Sequence, residues 1–426
     1  MSSPRRGPPR AALLAIGDEV LRGEILNANA AFLSERLFEL GLDLREHRTV
    51  SDDPLAIRAA LVQLRTEADV IIATGGLGPT EDDRTVDVVC DLLGLDAETH
   101  APSLEAMKQR FSTHGFELTP NNLRQVRVPV GAEAFQNAAG IAPGFRVDLG
   151  GGAQGFFCPG VPREMEKLFV DAIRPRLAVL AAEADLKPPL VRTWHVYGMG
   201  ESHIDHRLAG ILGQTEGATL HFRTAFPENH VKLVLRDHDQ ERAQANLLRI
   251  ETELRKRIGP GIYGIDGETF PQAVGKALLA QEATLSIAES CTGGMAGEVL
   301  TQEPGSSKYF VGAYVVYTNE MKEKALGVKS ETLANFGAVS EPCAREMAEG
   351  VKRVTGSALG LSITGVAGPD GGSPEKPVGT VCMACAGPGT TRTATKLFSG
   401  DRARIRKAAA FFALDMARRY FDTRRR

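Results

Sequence analysis

Ala68-Asp-Val-Ile-Ile-Ala-Thr74, running directly into Gly75-Gly-Leu-Gly-Pro-Thr-Glu-Asp-Asp83, assigns the start of this chain to the α/β class. The run is apolar enough to be a central strand of a parallel sheet, covered on both faces. Before it, residues 11–16 form another short apolar strand. That strand leads through Gly17-Asp-Glu19 into a helix whose Phe32, Leu33, Leu37 and Leu40 recur at helical spacing. Gly41 reads as its C-cap. Residues 42–50 read as a second strand and 54–64 as a second helix. Strand and helix alternate, as they do in α/β architectures, to about residue 175.

The texture changes at 176–263. Strands at 191–197, 218–224 and 230–236, a helix at 201–212 and a charged helix at 239–258 make a small α+β module. It holds the only tryptophan, Trp194, and no constellation in it calls for chemistry. From 264 to 426 strand and helix alternate again. Ile405, Ala409, Phe412, Met416 and Tyr420 form a core-facing stripe on the last helix. The expected fold is therefore α/β, with two α/β domains at 1–175 and 264–426 joined by the module at 176–263.

At 426 residues the chain has room for two or three domains with real cores. It is 43% apolar and 24% charged, with formal net charge -3, so no overall affinity for nucleic acid is expected. Arg418, Arg419, Arg424, Arg425 and Arg426 read as a solvated helix end. The Pro- and Arg-rich residues 1–10 read as a frayed terminus rather than a signal segment. No apolar run reaches membrane-spanning length. Six cysteines in so long a chain do not make a disulfide scaffold, so a reducing cytoplasm is expected. Cys382 and Cys385 form a CxxC, but three residues apart on a strand they face opposite ways.

The third domain carries the sharper chemistry. Thr284-Leu-Ser-Ile-Ala-Glu-Ser290 breaks into Cys291-Thr-Gly-Gly294, presenting a serine at a strand end before a helix. All nine histidines lie at or before His238, so imidazole cannot be its base. Lysine or tyrosine must then activate the hydroxyl, and Tyr317 and Lys322 are the candidates. A lysine base has to be neutral, which requires burial or a nearby cation. The N–H groups of Thr292, Gly293 and Gly294 could hold an oxyanion. Each residue also has a plainer reading. Ser290 could be an N-cap, Tyr317 a half-buried strand aromatic and Lys322 a solvated helix residue. Cys291 is a rival nucleophile. Thr364-Gly-Val-Ala-Gly-Pro-Asp-Gly-Gly372 suits either a phosphate-approaching loop or a surface turn. Asp401 reads as an N-cap and Arg402 as a phosphate clamp, with Arg404 and Arg406 solvated. These residues point to a serine-dependent hydrolase of a small phosphorylated amide or ester.

Ala288-Glu-Ser-Cys-Thr-Gly-Gly294, Tyr317-Thr-Asn-Glu-Met-Lys322, Gly337-Ala-Val-Ser340, Thr364 to Gly372 and Pro377-Val-Gly-Thr380 together resemble the nicotinamide-nucleotide amidase family, the C-terminal domain of CinA proteins. The resemblance implies hydrolysis of nicotinamide mononucleotide to nicotinic acid mononucleotide and ammonia, with no cofactor. It implies Ser290 as nucleophile, Tyr317 and Lys322 as activators, and Thr364, Gly365 and Arg402 at the substrate.

In the first domain the glycines of Thr74-Gly-Gly-Leu-Gly-Pro-Thr80 suit a phosphate-cradling loop at a strand's carboxyl end. Gly75, Gly76, Gly78 and Thr80 are its candidates. Asp82 and Asp83 are hard ligands for Mg²⁺ or a similar ion, unless one caps the next helix. Together with Gly17-Asp-Glu19, Gly23, Asn29, Asn137-Ala-Ala-Gly-Ile-Ala-Pro-Gly144 and Pro159-Gly-Val-Pro-Arg-Glu-Met165, the loop resembles the N-terminal domain of CinA proteins. That domain is similar to molybdopterin-binding domains of the MoaB and MogA type. The resemblance implies a pyrophosphatase acting on ADP-ribose, dependent on a divalent metal and potassium, with Asn29, Asp82 and Asp83 at the site.

The middle part resembles a KH-type module. Its Gly198-Met-Gly200 only partly matches the GxxG loop that grips single strands, so a spacer or dimer contact is expected instead. A homodimer is expected. Two rivals stand beside the bifunctional hydrolase. A molybdenum-cofactor protein would leave the Ser290 set unexplained. A non-enzymatic partner in DNA uptake or repair conflicts with the missing basic face.

Overall fold

The run at 70–74 is a buried strand in the middle of a six-stranded sheet. The computed structural model describes residues 9–115 and 117–422. The N-terminal residues before Pro9 and the basic tail's Arg424, Arg425 and Arg426 lie outside them. The sheet comprises β1 (Arg10–Ile16), β2 (Asp43–Val50), β3 (Val70–Thr74), β4 (Glu133–Phe135), β5 (Gly144–Asp148) and β6 (Gln154–Cys158), in spatial order β2-β1-β3-β6-β5-β4. β1 runs parallel to β2 and β3, and β3 to β6. β5 and β4 close the edge antiparallel. The unbroken apolar run of β1 follows from burial on both faces. Ala11 and Leu13 pack with Leu33, Leu37 and Met165, while Ala12, Leu14 and Ile16 pack with Ile57, Leu61 and Val89.

The chain divides into two units. One runs through Leu190 and takes in Arg236–Gln240, and the other comprises Val191–Leu235 and the described residues from Glu241 on. In the second unit, β7 (Leu190–Tyr197, in this unit from Val191 on), β8 (Ala218–Ala225), β9 (Glu228–Leu235) and β10 (Ile262–Ile265) form a sheet in the order β8-β9-β7-β10. The helix Gln240–Ile258 buries Ala243, Leu247, Ile250, Leu254 and Ile258, a single helical stripe. The helix expected to reach residue 212 ends at Leu208. Ala209 turns extended and Gly210 takes a positive φ.

The same unit holds a five-stranded sheet of β11 (Leu285–Glu289), β12 (Phe310–Val315), β13 (Leu359–Gly365), β14 (Thr380–Gly387) and β15 (Thr390–Leu397), in the order β12-β11-β13-β14-β15. β11 is parallel to β12 and β13, whereas β14 and β15 are antiparallel additions. Ile405, Ala409 and Ala413 of the last helix pack on one face with Cys385, and Ala344 and Ala348 cover the other with Cys382. The CxxC thiols therefore face opposite ways, and all six cysteines are free and buried. Tyr197 and Tyr263 of the small sheet each lie 5.1 Å from the Phe270 ring, which stacks on Phe411 at 4.9 Å. Such pairs add about 1 kcal/mol each beyond area burial, so module and C-terminal domain share a core here. Arg418 departs from its expected solvation. It pairs with Asp415 at 2.7 Å, and its side chain is only 11% exposed. Among the described residues no helix is long and apolar enough to cross a membrane.

Candidate active site

Ser290 follows the last residue of β11, and its N–H donates to the Ile363 carbonyl at 2.9 Å. Its hydroxyl accepts from Lys322 Nζ at 3.1 Å. Lys322 sits one turn into the helix Asn319–Leu326, whose N-cap is Thr318, accepting from the Met321 N–H. The lysine is 1% exposed and donates also to the carbonyls of Val316 (3.0 Å) and Tyr317 (3.2 Å). It forms no ion pair with a carboxylate among the described residues. Burial pulls its pKa below the ordinary lysine value, against a smaller opposite effect of Cys343 and Cys291. A buried amine with a lowered pKa touching a serine hydroxyl has the contact that a general base needs with a nucleophile.

The plainer readings of these two residues fail on geometry. Lys322 is not solvated. Ser290 Oγ caps no helix, because that task falls to Glu289. The Glu289 carboxylate, fully buried, accepts from the N–H groups of Gly294 (3.0 Å), Ala296 (3.1 Å) and Gly297 (2.9 Å). It thereby anchors the start of the helix Met295–Thr301 to the strand that carries Ser290. Gly294 has φ 100°, which a side chain would resist. Sequence reading missed Glu289. Its signals are its place in the quoted Ala288–Gly294 motif and a carboxylate ending a strand that is buried throughout.

The expected three-donor oxyanion hole is corrected by the same bonds. Gly294 N–H is held by Glu289, and Gly293 N–H donates to the Ser290 carbonyl at 3.1 Å. Of the three, Thr292 N–H alone has no partner among the described residues. Arg406 is likewise not solvated. It is half-buried and donates to the Thr292 carbonyl at 2.6 Å, bracing the turn. Cys291 is a poor rival, since burial pushes its thiol up to about 11 and keeps it protonated near neutrality.

Tyr317 is exposed and lies beyond β12, so it is no half-buried strand aromatic. Its backbone carbonyl meets Lys322, but its phenol accepts from Arg402 Nη2 at 3.1 Å rather than reaching Ser290. Its phenol therefore does not touch the hydroxyl it was expected to activate. Arg402, first residue of the last helix, also donates to the Gly368 carbonyl at 2.7 Å, so it ties the glycine-rich loop to Tyr317. Asp401 caps that helix as expected, accepting from Arg404 N–H. Thr364 is buried and gives its hydroxyl proton to the Ala338 carbonyl at 2.9 Å. Gly365 is the end of β13, where a Cβ would stand 2.7 Å from the Thr380 carbonyl. Both lie beneath the loop as its support.

In the first unit, a cleft of about 340 Å³ opens at the carboxyl ends of β1, β3 and β6. Such ends are where α/β sheets bind ligands. Gly75, Gly76, Gly78, Asp82 and Asp83 line it, joined by three acids that sequence reading did not select: Glu19, Asp52 and Glu164. Their signal was present, since two of them lie in the quoted Gly17–Glu19 and Pro159–Met165 motifs. Gly75 has φ 107°, and a Cβ there would stand 2.0 Å from the Ile16 carbonyl. Burial first, then the charges of Glu19, Asp18 and Asp82, raise the Asp52 carboxyl above its ordinary value, against the Asp18 N–H. Neither Asp82 nor Asp83 caps the helix Thr85–Leu93. Asp83 instead accepts from the Thr80 N–H (2.9 Å) and hydroxyl, closing its own loop, while Asp82 is exposed. Thr80 thus serves this acidic turn, bonding Asp83 and holding the Asp82 carboxyl below its ordinary value. Asn29 donates to the Gly160 carbonyl at 2.7 Å and supports the cleft wall from behind, with its Oδ1 buried and unpaired. Asn137 organises the 137–144 loop, accepting from the N–H groups of Ala139 and Gly140 and donating to Glu164.

Comparison with known proteins covers nearly the whole chain. Residues 267–421 match the family described as "CinA C-terminal domain", residues 191–264 "Damage-inducible protein CinA KH domain", and residues 12–179 "Probable molybdopterin binding domain". A CinA-like protein of Anaeromyxobacter sp. (strain Fw109-5) is 42% identical over 413 residues, 96% of this chain and 99% of the relative. A CinA-like protein of Myxococcus xanthus (strain DK1622) is 40% identical over 96% of this chain and 98% of its own length. The crystal structure of competence damage-inducible protein A from Klebsiella pneumoniae is 33% identical, covering 36% of this chain and 95% of that one, with a TM-score of 0.35.

Proposed function

The chain belongs to the CinA family of competence/damage-inducible proteins, with a MoaB/MogA-like N-terminal domain, and from that premise we propose that it is a bifunctional hydrolase of pyridine nucleotides. Its C-terminal domain deamidates nicotinamide mononucleotide. The observation that supports this best is the buried Lys322 amine on the Ser290 hydroxyl. Neutral Lys322 takes the Ser290 proton as Oγ bonds to the carboxamide carbon. The C–N bond then breaks, and the same proton leaves on ammonia. Water adds to the acyl-enzyme, giving one proton back through Lys322 to Ser290 Oγ, and nicotinic acid mononucleotide departs. Thr292 N–H is the donor available to the developing oxyanion. Arg402, held at the site's rim by Gly368 and Tyr317, supplies a cation for the phosphate.

The N-terminal domain, on this reading, splits the diphosphate of ADP-ribose with a divalent cation and potassium. The acids lining the cleft are all oxygen donors, which suits Mg²⁺ or a similar hard ion; such ions take one or two carboxylates and complete their shell with water and phosphate. Asp82, exposed toward the cleft, and Asp83 would hold it. When bound, the ion neutralises charge on the diphosphate.

Ammonia release from nicotinamide mononucleotide by purified wild-type and Ser290→Ala protein tests the C-terminal half. Turnover confined to wild type supports the assignment. Turnover that persists without the hydroxyl removes Ser290 as nucleophile, and an inactive wild type removes the substrate.

A further inference from the structure

His195, Glu228 and His230 bring one ligand atom each to within 4.8 Å of one another. Glu228 and His230 stand two apart on β9 and so share a face, and His195 lies on the adjacent β7. We propose that these three residues form a binding site for one zinc-class divalent ion per chain. The site is independent of both hydrolase sites and was invisible in the sequence, where Glu228 stands 33 positions after His195.

The tautomer of His195 is fixed by its surroundings. Its Nε2 meets the Asp266 carbonyl, which can only accept, so that nitrogen carries the proton and Nδ1 offers a lone pair. Nδ1 lies 3.3 Å from the Tyr263 hydroxyl oxygen, whose single proton goes to Glu228, so the Nδ1 lone pair is left free beside the carboxylate. His230 Nε2 is buried with no hydrogen-bond partner, 3.5 Å from Glu228 Oε2. That spacing is close to the edge of a tetrahedron with metal–ligand bonds of about 2.1 Å, roughly 3.4 Å. The two imidazole rings are 4.2 Å apart without bonding each other. Glu228, at 3.5 Å, meets His230 Nε2 only at the outer edge of hydrogen-bond distance, whereas an ion between the three groups satisfies it. Two imidazoles and one carboxylate with a fourth position open are zinc ligands, and the nitrogens disfavour Mg²⁺ and Ca²⁺. The Asp266 carbonyl and Tyr263 hydroxyl are the outer partners that orient such ligands.

The test uses the full chain, stripped with chelator and titrated with Zn²⁺ and with Co²⁺ in excess Mg²⁺, added to saturate oxygen-only sites such as the acidic cleft of the first unit. The expected result is one equivalent bound, with a Co²⁺ visible spectrum of tetrahedral type. His230→Ala should abolish it, and Glu228→Gln should weaken it severely. Tyr263→Phe should weaken it by about tenfold at unchanged stoichiometry. Asp82→Ala should leave it untouched. X-ray absorption at the zinc edge of the wild type needs no variant and should show two imidazoles. No stoichiometric binding in the wild type, an equivalent that survives His230→Ala, or an oxygen-only shell would each overturn the proposal. Thermal melts of the metal-free variants identify any that fail to fold, and for those the absorption spectrum decides.

Discussion

The Lys322 amine, 1% exposed, donates to Ser290 Oγ at 3.1 Å, and its two other partners are the neutral carbonyls of Val316 and Tyr317. With no carboxylate paired to it among the described residues, the charged form is stabilised only by dipoles. Desolvation therefore works against the ammonium and makes the amine available as a base at lower pH than an ordinary lysine.

That arrangement fixes the direction of two pH dependences. Activity should rise with pH through the Lys322 pKa, and kcat/KM should show an acidic limb below the ordinary lysine value of about 10.4. For stability, the unfolded chain binds the proton more tightly than the folded one. Between the folded and unfolded pKa the unfolded state carries more protons, so this group's contribution to stability rises with pH across that window. A kcat/KM profile flat across it, or falling with pH there, would contradict a lysine base.

Lys322→Met tests the same contact from the side of stability. The thioether fills similar volume and carries no charge to desolvate. Deamidation should fall by ~10³-fold or more, as for Ser290→Ala, because nucleophile and base act as one unit. The melting temperature should be retained or raised in the acidic range, and its difference from wild type should shrink as pH rises through that window. A lysine with a merely structural role would give the opposite pattern: a lowered melting temperature and little change in turnover.

How far the sequence revealed this site depends on the kind of contact. The strand that stops at Ser290 and the Tyr-Thr-Asn-Glu-Met-Lys322 segment are local patterns, and their meeting follows from adjacent parallel strands. The tasks of Glu289 and Arg406 were not legible. A glutamate ending a buried strand satisfies no alternation rule, and only the fold shows three N–H groups converging on it. Arg406 shares its residue type with solvated neighbours, and its burial depends on where the Thr292 turn lands. The His195–Glu228–His230 cluster rests on which strands of the small sheet lie side by side, which no spacing in the chain encodes.

Glu289→Gln should separate cap from chemistry. The amide can accept fewer of the three N–H bonds, and its NH₂ faces other donors. Loss of charge-assisted bonds to a buried group costs about 2–3 kcal/mol. At roughly 2–4 °C per kcal/mol for a domain of this size, the C-terminal transition should fall by roughly 4–12 °C in calorimetry. Deamidation should fall too, because the turn carrying Ser290 loses its anchor. An unchanged transition would mean that Glu289 does not hold the helix.

Tyr317→Phe and Arg402→Ala should act together on binding. The phenol touches Arg402 and not Ser290 or the Lys322 amine, so its loss should raise KM for the mononucleotide while kcat falls less than about tenfold. Arg402→Ala should raise KM further, and Tyr317→Phe should add little on top of it, because the two share one contact. A kcat loss from Tyr317→Phe as deep as that of Lys322→Met would restore the phenol as a proton relay.

Asp82 and Asp83, neighbours in the sequence, should answer differently to the same substitution. Asp83 accepts from the Thr80 N–H at 2.9 Å and from the Thr80 hydroxyl, and a Cβ at Gly78 would stand 2.4 Å from its carboxylate. Asp83 therefore shapes the loop whether or not an ion is present. Asp83→Ala should cost about 1 kcal/mol of stability in the N-terminal unit, the usual cost of losing a side-chain cap, together with metal-dependent cleavage of ADP-ribose. Asp82 is exposed and lies beside the Thr80 hydroxyl, which holds its carboxyl below the ordinary value. Asp82→Ala should leave the melt unchanged, abolish Mg²⁺-dependent cleavage and leave deamidation by the other domain at the wild-type rate. Deamidation serves as the internal control for concentration and fold. If Asp82→Ala lowered the melting temperature as much as Asp83→Ala, both aspartates would be loop supports, and the metal would have to be sought among Glu19, Asp52 and Glu164.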